Sequence, residues 1–326
     1  MDDFDQYSLT GCLIDPEYSE APQLRSLGGT DPAQSVGSSA LGRTLPPRVD
    51  LRKYCSPVED QGRTNSCVAN AVVGALEILQ RKQGHSSQDL SRLFSYYNAR
   101  LFHGQKPEDK GTYVHFAMAS LVAQGICEAR MWPFSSTVIN DPPTQACYQN
   151  AQHYRGVEFA EIQKGTPLTH IIAQEIPVVI AVRLPRQAYL SAHQTDLMAL
   201  PEGDGMPHQH GNHAMVVVGY DLEQKTYLVR NSWGTRFAKD GYFHMPMSIF
   251  DHASLAGQQW AIGALNGAPG LELLGQSVQQ SVDGMVAAAV SPQVQDMSKF
   301  ASEVAKDMGS RLETAKQGFR SRLRGD

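Results

Sequence analysis

Residues 57–77 read PVEDQGRTNSCVANAVVGALE. The first half of this stretch is turn-like, punctuated by Pro57 and Gly62. The second half is apolar at helical spacing: Ala69, Val72, Val73, Leu76 and Leu79 recur three and four residues apart. A helix is therefore predicted to start near Cys67, with Asn65 or Ser66 as its cap. Cys67 then stands in the first helical turn. The positive end of the helix and its unpaired N–H groups favour a thiolate there. Such a cysteine is either a small core residue or a nucleophile. Its partners decide which.

Two later segments supply partners. HGNHAMVVVGYD contains His213 and LVRNSWG contains Asn231, which lie 146 and 164 positions after Cys67. A histidine beside the thiol would pair with the thiolate and later protonate a leaving amine. An asparagine oxygen holds the imidazole N–H and orients the ring. Gln61, six residues before Cys67, is placed to donate its amide to a developing oxyanion together with the Cys67 backbone N–H. An early cysteine with a histidine and an asparagine roughly 130–150 residues on is itself a recognised spacing for thiol catalysis.

Outward from these segments the chain divides in three. Residues 1–44 form an irregular arm containing GGTDPAQSVGSSALGRT, which is Gly/Ser-rich. Residues 45–265 are patterned as a globular body. Residues 266–326 are a linker and a tail in which Met297, Ala301, Val304, Met308, Leu312, Ala315, Phe319 and Leu323 make one apolar helical face. In the body, helices are predicted over Ser91–Phe102 and Tyr113–Gln124 as well as after Cys67, and strands over 177–184, 214–221, 226–233 and 241–246. Helices first and strands second predict an α+β protein of two lobes with its site in the cleft between them.

The 326 residues are 41% hydrophobic with a net charge of −5, and no basic patch is interleaved with aromatics, so a nucleic-acid partner is not expected. No apolar run is long enough to cross a membrane and no signal peptide is visible. The expected location is cytoplasmic at synthesis, with any export by a signal-independent route. The five cysteines lack a CxxC spacing and are read as reduced thiols; Cys55, Cys127 and Cys147 are expected to be structural, and Cys12, in the arm, to be exposed. His208, His210 and His213 crowd six residues, but no carboxylate or thiol motif accompanies them. Neither a metal nor a cofactor is expected. The tail helix is expected to dock on the body, bind a protein partner or self-associate.

The segments LPPRVDLRKYCSPVEDQGRTNSCVANA, GTYVHFAMASLVAQGICEARMWPF, GNHAMVVVGY and NSWGTRFAKDGYF occur in that order. Together they resemble the papain-like cysteine peptidases, in particular a bacterial branch lacking the usual disulfides. The resemblance covers residues 45–265. It implies a two-lobed fold with a helical N-terminal lobe and an antiparallel, barrel-like C-terminal lobe. It further implies Cys67 as nucleophile, His213 as acid/base, Asn231 as the group orienting it and Gln61 as oxyanion donor. Trp233 would shield the His–Asn bond, and Gly111 would pair with an extended peptide. The sequence departs from the pattern at Thr64, Val68, Lys110 (where a first substrate-binding glycine is expected) and Phe237-Ala238. The implied activity is hydrolysis of peptide bonds in proteins or peptides. Acyl transfer or aminopeptidase action by the same residues, and a papain-like binding module, stay open as alternatives. The arm is too short for the usual helical pro-domain; it is left either along the cleft or packed on the back of the body.

Overall fold

A computed structural model describes residues 7–14, 45–84, 88–101, 108–154, 158–162, 167–200, 210–251 and 255–264. The predicted tail helix, residues 24–29 and 42–44, and His208 lie outside them.

The first helix, α1 (Cys67–Lys82), is buried along nearly its whole length, because Ala, Val, Leu and Ile occupy every side of it. Two of its buried polar residues are satisfied from the neighbouring segment. Asn70 takes a hydrogen bond from Arg92 at 2.7 Å, and Glu77 accepts from the Leu90 N–H at 2.9 Å. Two further helices, α2 (Arg92–Leu101) and α3 (Val114–Gln124), pack on α1 and complete the helical lobe. Gly125 ends α3 at φ 73°, a left-handed conformation that favours glycine. A short α4 (Gln145–Ala151) follows.

The second half is a seven-stranded antiparallel sheet: β1 (Arg48–Asp50), β2 (Glu158–Glu161), β3 (Val178–Pro185), β4 (His210–Asp221), β5 (Thr226–Arg230), β6 (Tyr242–Pro246) and β7 (Ala256–Ala264). The order is β2-β7-β3-β4-β5-β6, with β1 paired to β4. Among the described residues no pairing joins β2 to β6, so the strands form an open, barrel-like sheet. Helices α5 (Leu168–Ile172) and α6 (Arg186–Thr195) accompany it.

The two-residue period of the strands builds two cores from one sheet. Val179, Ala181, Ala214, Val216 and Val218 face the core shared with α1 and α3. Val178, Ile180, Val182, Met215 and Val217 face the other, shared with α5, α6 and the aromatics of β5 and β6. Full burial of each such valine or isoleucine contributes about 1.5–3 kcal/mol. Helix α1 therefore lies against the sheet, and its N-terminus meets the start of β4.

Candidate active site

Cys67 opens α1, and Ser66 holds the N-cap position without a side-chain cap. The Ser66 hydroxyl instead pairs with Thr64 at 2.7 Å and accepts from Asn70 Nδ2 at 3.0 Å. Asn65 does not cap either. The first-turn N–H groups are consequently left to the thiol: the Cys67 sulfur is approached by its own N–H, that of Val68 and that of Ala214 on β4. The last of these places His213 alongside Cys67.

His213 Nε2 meets Asn231 Oδ1 at 2.8 Å, and Asn231 Oδ1 also accepts the Ser232 N–H at 2.8 Å. With the acceptor oxygen on Nε2, the proton of the neutral ring belongs on Nε2. Nδ1 is buried without a hydrogen-bond partner among the described residues. Trp233 stacks on the imidazole, centroids 4.6 Å apart, and Tyr189 of α6 meets it edge-on at 5.8 Å. His213 and Asn231 are both buried beside these rings.

Gln61 is held at both ends. Its Nε2 donates to Thr64 O at 2.8 Å and its Oε1 accepts from Ser232 Oγ at 2.6 Å. One Nε2 hydrogen is thereby left for another acceptor. The backbone couples the same segments: Gln61 N–H donates to Ser232 O at 2.9 Å, and Gly234 N–H to Glu59 O at 2.9 Å. Arg230 completes the join, donating to Ser56 O at 2.6 Å and Pro57 O at 2.7 Å. The turn before Cys67 is thus tied to the segment bearing Asn231.

The cleft is filled by the chain's own residues 7–14. Leu13 N–H donates to Thr112 O at 3.0 Å and Thr112 N–H to Gly11 O at 3.1 Å, a parallel bridge centred on Cys12 and Thr112. Tyr7 stacks on Trp233 at 4.8 Å. Ser8 and Thr10 donate to Asn65 Oδ1 at 2.6 and 2.7 Å. Gly11 crosses Cys67 so closely that a Cβ on it would lie 2.8 Å from the Cys67 sulfur and 2.6 Å from Asn65 O. The arm therefore lies along the cleft, at least over this segment. Cys67, His213, Asn231 and Gln61 are all at most 2% exposed.

Two expectations change, for Cys12 and for the Cys67 thiol. Cys12 is buried rather than exposed, because it pairs with Thr112 inside the cleft. The arm's backbone pairs with that of Thr112, next to Gly111. Gly111 bends at φ 83° and leaves room for Gly11 O, which would lie 2.5 Å from a Cβ there. Lys110 points to solvent and pairs with Glu108 at 2.6 Å, with no part in holding the segment. Finally, the helix terminus does not make Cys67 acidic in this form. Burial pushes its thiol up to about 12 from 9.0. The same burial lowers His213 to about 4 from 6.5, against the opposing effect of Asn231. With the arm seated, both groups are neutral.

Sequence reasoning missed Asn65 as a contact, Thr112 and Tyr189, and left the arm's place open between the cleft and the back of the body. Asn65 stands in the opening stretch, where its position marks it only as one of two candidate helix caps. Tyr189 carries no local signal at all.

Residues 45–261 match the family model of the papain family cysteine proteases. An uncharacterized peptidase C1-like protein of Acanthamoeba polyphaga mimivirus is 26% identical over 261 residues, covering 74% of this chain and 84% of that one. Cathepsin S of Mus musculus is 27% identical over 233 residues, covering 67% of this chain and 64% of the mouse protein. Among solved structures, xylellain, a cysteine protease from Xylella fastidiosa, is similar at 28% identity with a TM-score of 0.65, covering 78% of this chain and 96% of that one.

Proposed function

Because the chain belongs to the papain family of cysteine proteases, we propose that it hydrolyses peptide bonds with Cys67 as nucleophile, and that the seated arm holds it in a latent form. When the arm leaves, water and substrate reach the cleft, and the helix N-terminus and His213 again favour the thiolate. His213 Nδ1 takes the thiol proton and the sulfur attacks the scissile carbonyl. The oxyanion is met by the Cys67 N–H and the free Nε2 hydrogen of Gln61. His213 then passes its proton to the leaving amine, and water, deprotonated by His213, hydrolyses the acyl-enzyme. Asn231 keeps the ring in the tautomer and orientation that this sequence needs. Trp233 acts through the ring it covers.

The observation that carries this reading is the 2.8 Å contact of His213 Nε2 with Asn231 Oδ1, which leaves Nδ1 as the proton-exchanging nitrogen beside Cys67. The test uses the full chain carrying Gly11→Glu, which the space above the sulfur cannot admit. That chain is expected to degrade casein, and adding Cys67→Ala to abolish the degradation. Casein hydrolysis undiminished by Cys67→Ala would sink the proposal.

A further inference from the structure

Asn65 lies two residues before the nucleophile, and everything around it fixes its amide. Its Nδ2 donates to the Asp109 carbonyl at 2.7 Å and its backbone N–H to Asp109 Oδ1 at 2.9 Å. Asp109 Oδ1 is held in turn by the Tyr96 hydroxyl at 2.7 Å, and that hydroxyl accepts the Gly111 N–H at 3.0 Å. Because Nδ2 faces a carbonyl, which only accepts, the amide cannot be flipped without losing a bond. Oδ1 is therefore aimed into the cleft as an acceptor with no donor of its own beside it. A cavity of about 380 Å³ lined by Tyr7, Ser8, Thr10, Arg63 and Asn65 leaves this point open to solvent.

The arm fills that acceptor in a specific way. The chain bends at Leu9, between Ser8 and Thr10, and the Thr10 N–H donates to Ser8 Oγ at 3.4 Å. Both hydroxyls converge on Oδ1. The intervening Leu9 sits where a Cβ on Gly211 would lie 2.3 Å from its own Cβ. The next residue, Gly11, passes the sulfur with no space for a side chain.

We infer that Asn65 is a specificity-determining residue of the cleft, a fixed acceptor that selects peptide segments bearing two hydroxyl side chains two residues apart, followed by glycine at the nucleophile. The inference rests on the protease reading above and adds to it the class of peptide the cleft holds. Alanine at both hydroxyl positions leaves Oδ1 without a side-chain donor from the peptide, and a loss of affinity follows.

The test again uses the full-length Gly11→Glu chain, with two synthetic peptides corresponding to residues 7–14. Both carry Cys12→Ala to remove their thiol, and one also carries Ser8→Ala and Thr10→Ala. Each is titrated against labelling of Cys67 by iodoacetamide, read by peptide mass mapping. The hydroxyl-bearing peptide is expected to protect Cys67 at a concentration at least about tenfold lower than the alanine analogue. With Asn65→Ala added, the two peptides are expected to protect equally. As a second measurement needing no change at Asn65, Ser8→Ala with Thr10→Ala in the otherwise unaltered chain should speed Cys67 labelling about tenfold. Equal protection by the two peptides with Asn65 present, or a preference that survives Asn65→Ala, overturns the inference. Casein hydrolysis without peptide preference removes the role of Asn65 and leaves the protease reading intact. Peptide preference without casein hydrolysis does the reverse.

Discussion

At the scale of single residues, the chemistry is set by what each polar atom is left to do. Asn231 Oδ1 serves both the imidazole and the Ser232 N–H. Asn231→Ala removes both bonds at once from a buried place. In the Gly11→Glu chain it is expected to lower kcat by on the order of tenfold or more while leaving KM within about twofold, since it orients the acid/base and touches no substrate. A parallel change in KM alone would count against that role. The same variant should lose about 1–3 kcal/mol of stability, measured by urea denaturation, because a buried N–H and the ring nitrogen lose their acceptor. Gly11 is the converse case, important for the atoms it lacks. Any side chain there must displace the arm or the sulfur, so Gly11→Glu in an otherwise unaltered chain should speed iodoacetamide labelling of Cys67 at least about tenfold. Labelling as slow as in the parent would mean that the arm does not occlude the thiol.

At the scale of elements, one strand end and one turn determine whether the site exists. Arg230, the last residue of β5, is 4% exposed and spends its guanidinium on Ser56 O, Ser56 Oγ and Pro57 O. Those bonds hold the turn that carries Gln61 against the segment that carries Asn231. Arg230→Met keeps the apolar bulk but orphans the buried Ser56 carbonyl and frees that of Pro57, so it is expected to cost about 1–3 kcal/mol by urea denaturation and to reduce turnover in the Gly11→Glu chain. A cost below about 1 kcal/mol would show that the join is held elsewhere. The helices were legible because their periodicity is local: the runs predicted at Ser91–Phe102 and Tyr113–Gln124 became Arg92–Leu101 and Val114–Gln124. Strands β3, β4, β5 and β6 were legible for the same reason, as β-branched runs between turns, while the nine-residue β7, AGQQWAIGA, has no such run. The short β1 and β2 and helix α6 were not, since three or four residues hold too little period to be read, and α6 exists by packing Ala188, Tyr189 and Ala192 into the second core.

At the scale of the whole molecule, the position of the arm controls the protonation of the site. With residues 7–14 seated, His213 titrates near 4 instead of 6.5, and Cys67 near 12 instead of 9.0. Below pH 6.5 the arm-free form binds the extra proton at His213 and the seated form does not, so seating weakens as pH falls toward 4. The arm-free form, in which the helix terminus and His213 favour the thiolate, releases the Cys67 proton at a lower pH than the seated form, so seating weakens again at high pH. Protection of the Leu13 and Thr112 amides from hydrogen exchange, corrected for intrinsic rates, is therefore expected to fall as pH is lowered from about 7 to 5. Protection unchanged from pH 7 to pH 5 would contradict the burial argument. The sequence by itself determined the helix that begins at Cys67, the residue types that can perform thiol chemistry, and their order along the chain, because motif and period are local properties. Only the tertiary structure decided that Thr112 offers its backbone to the arm, that Asn65 turns an acceptor into the cleft, and that the arm lies over Cys67. Each of these depends on two segments far apart in the chain meeting at a few ångströms. No single segment records that meeting, and the water it excludes reverses the protonation that the helix terminus alone would favour.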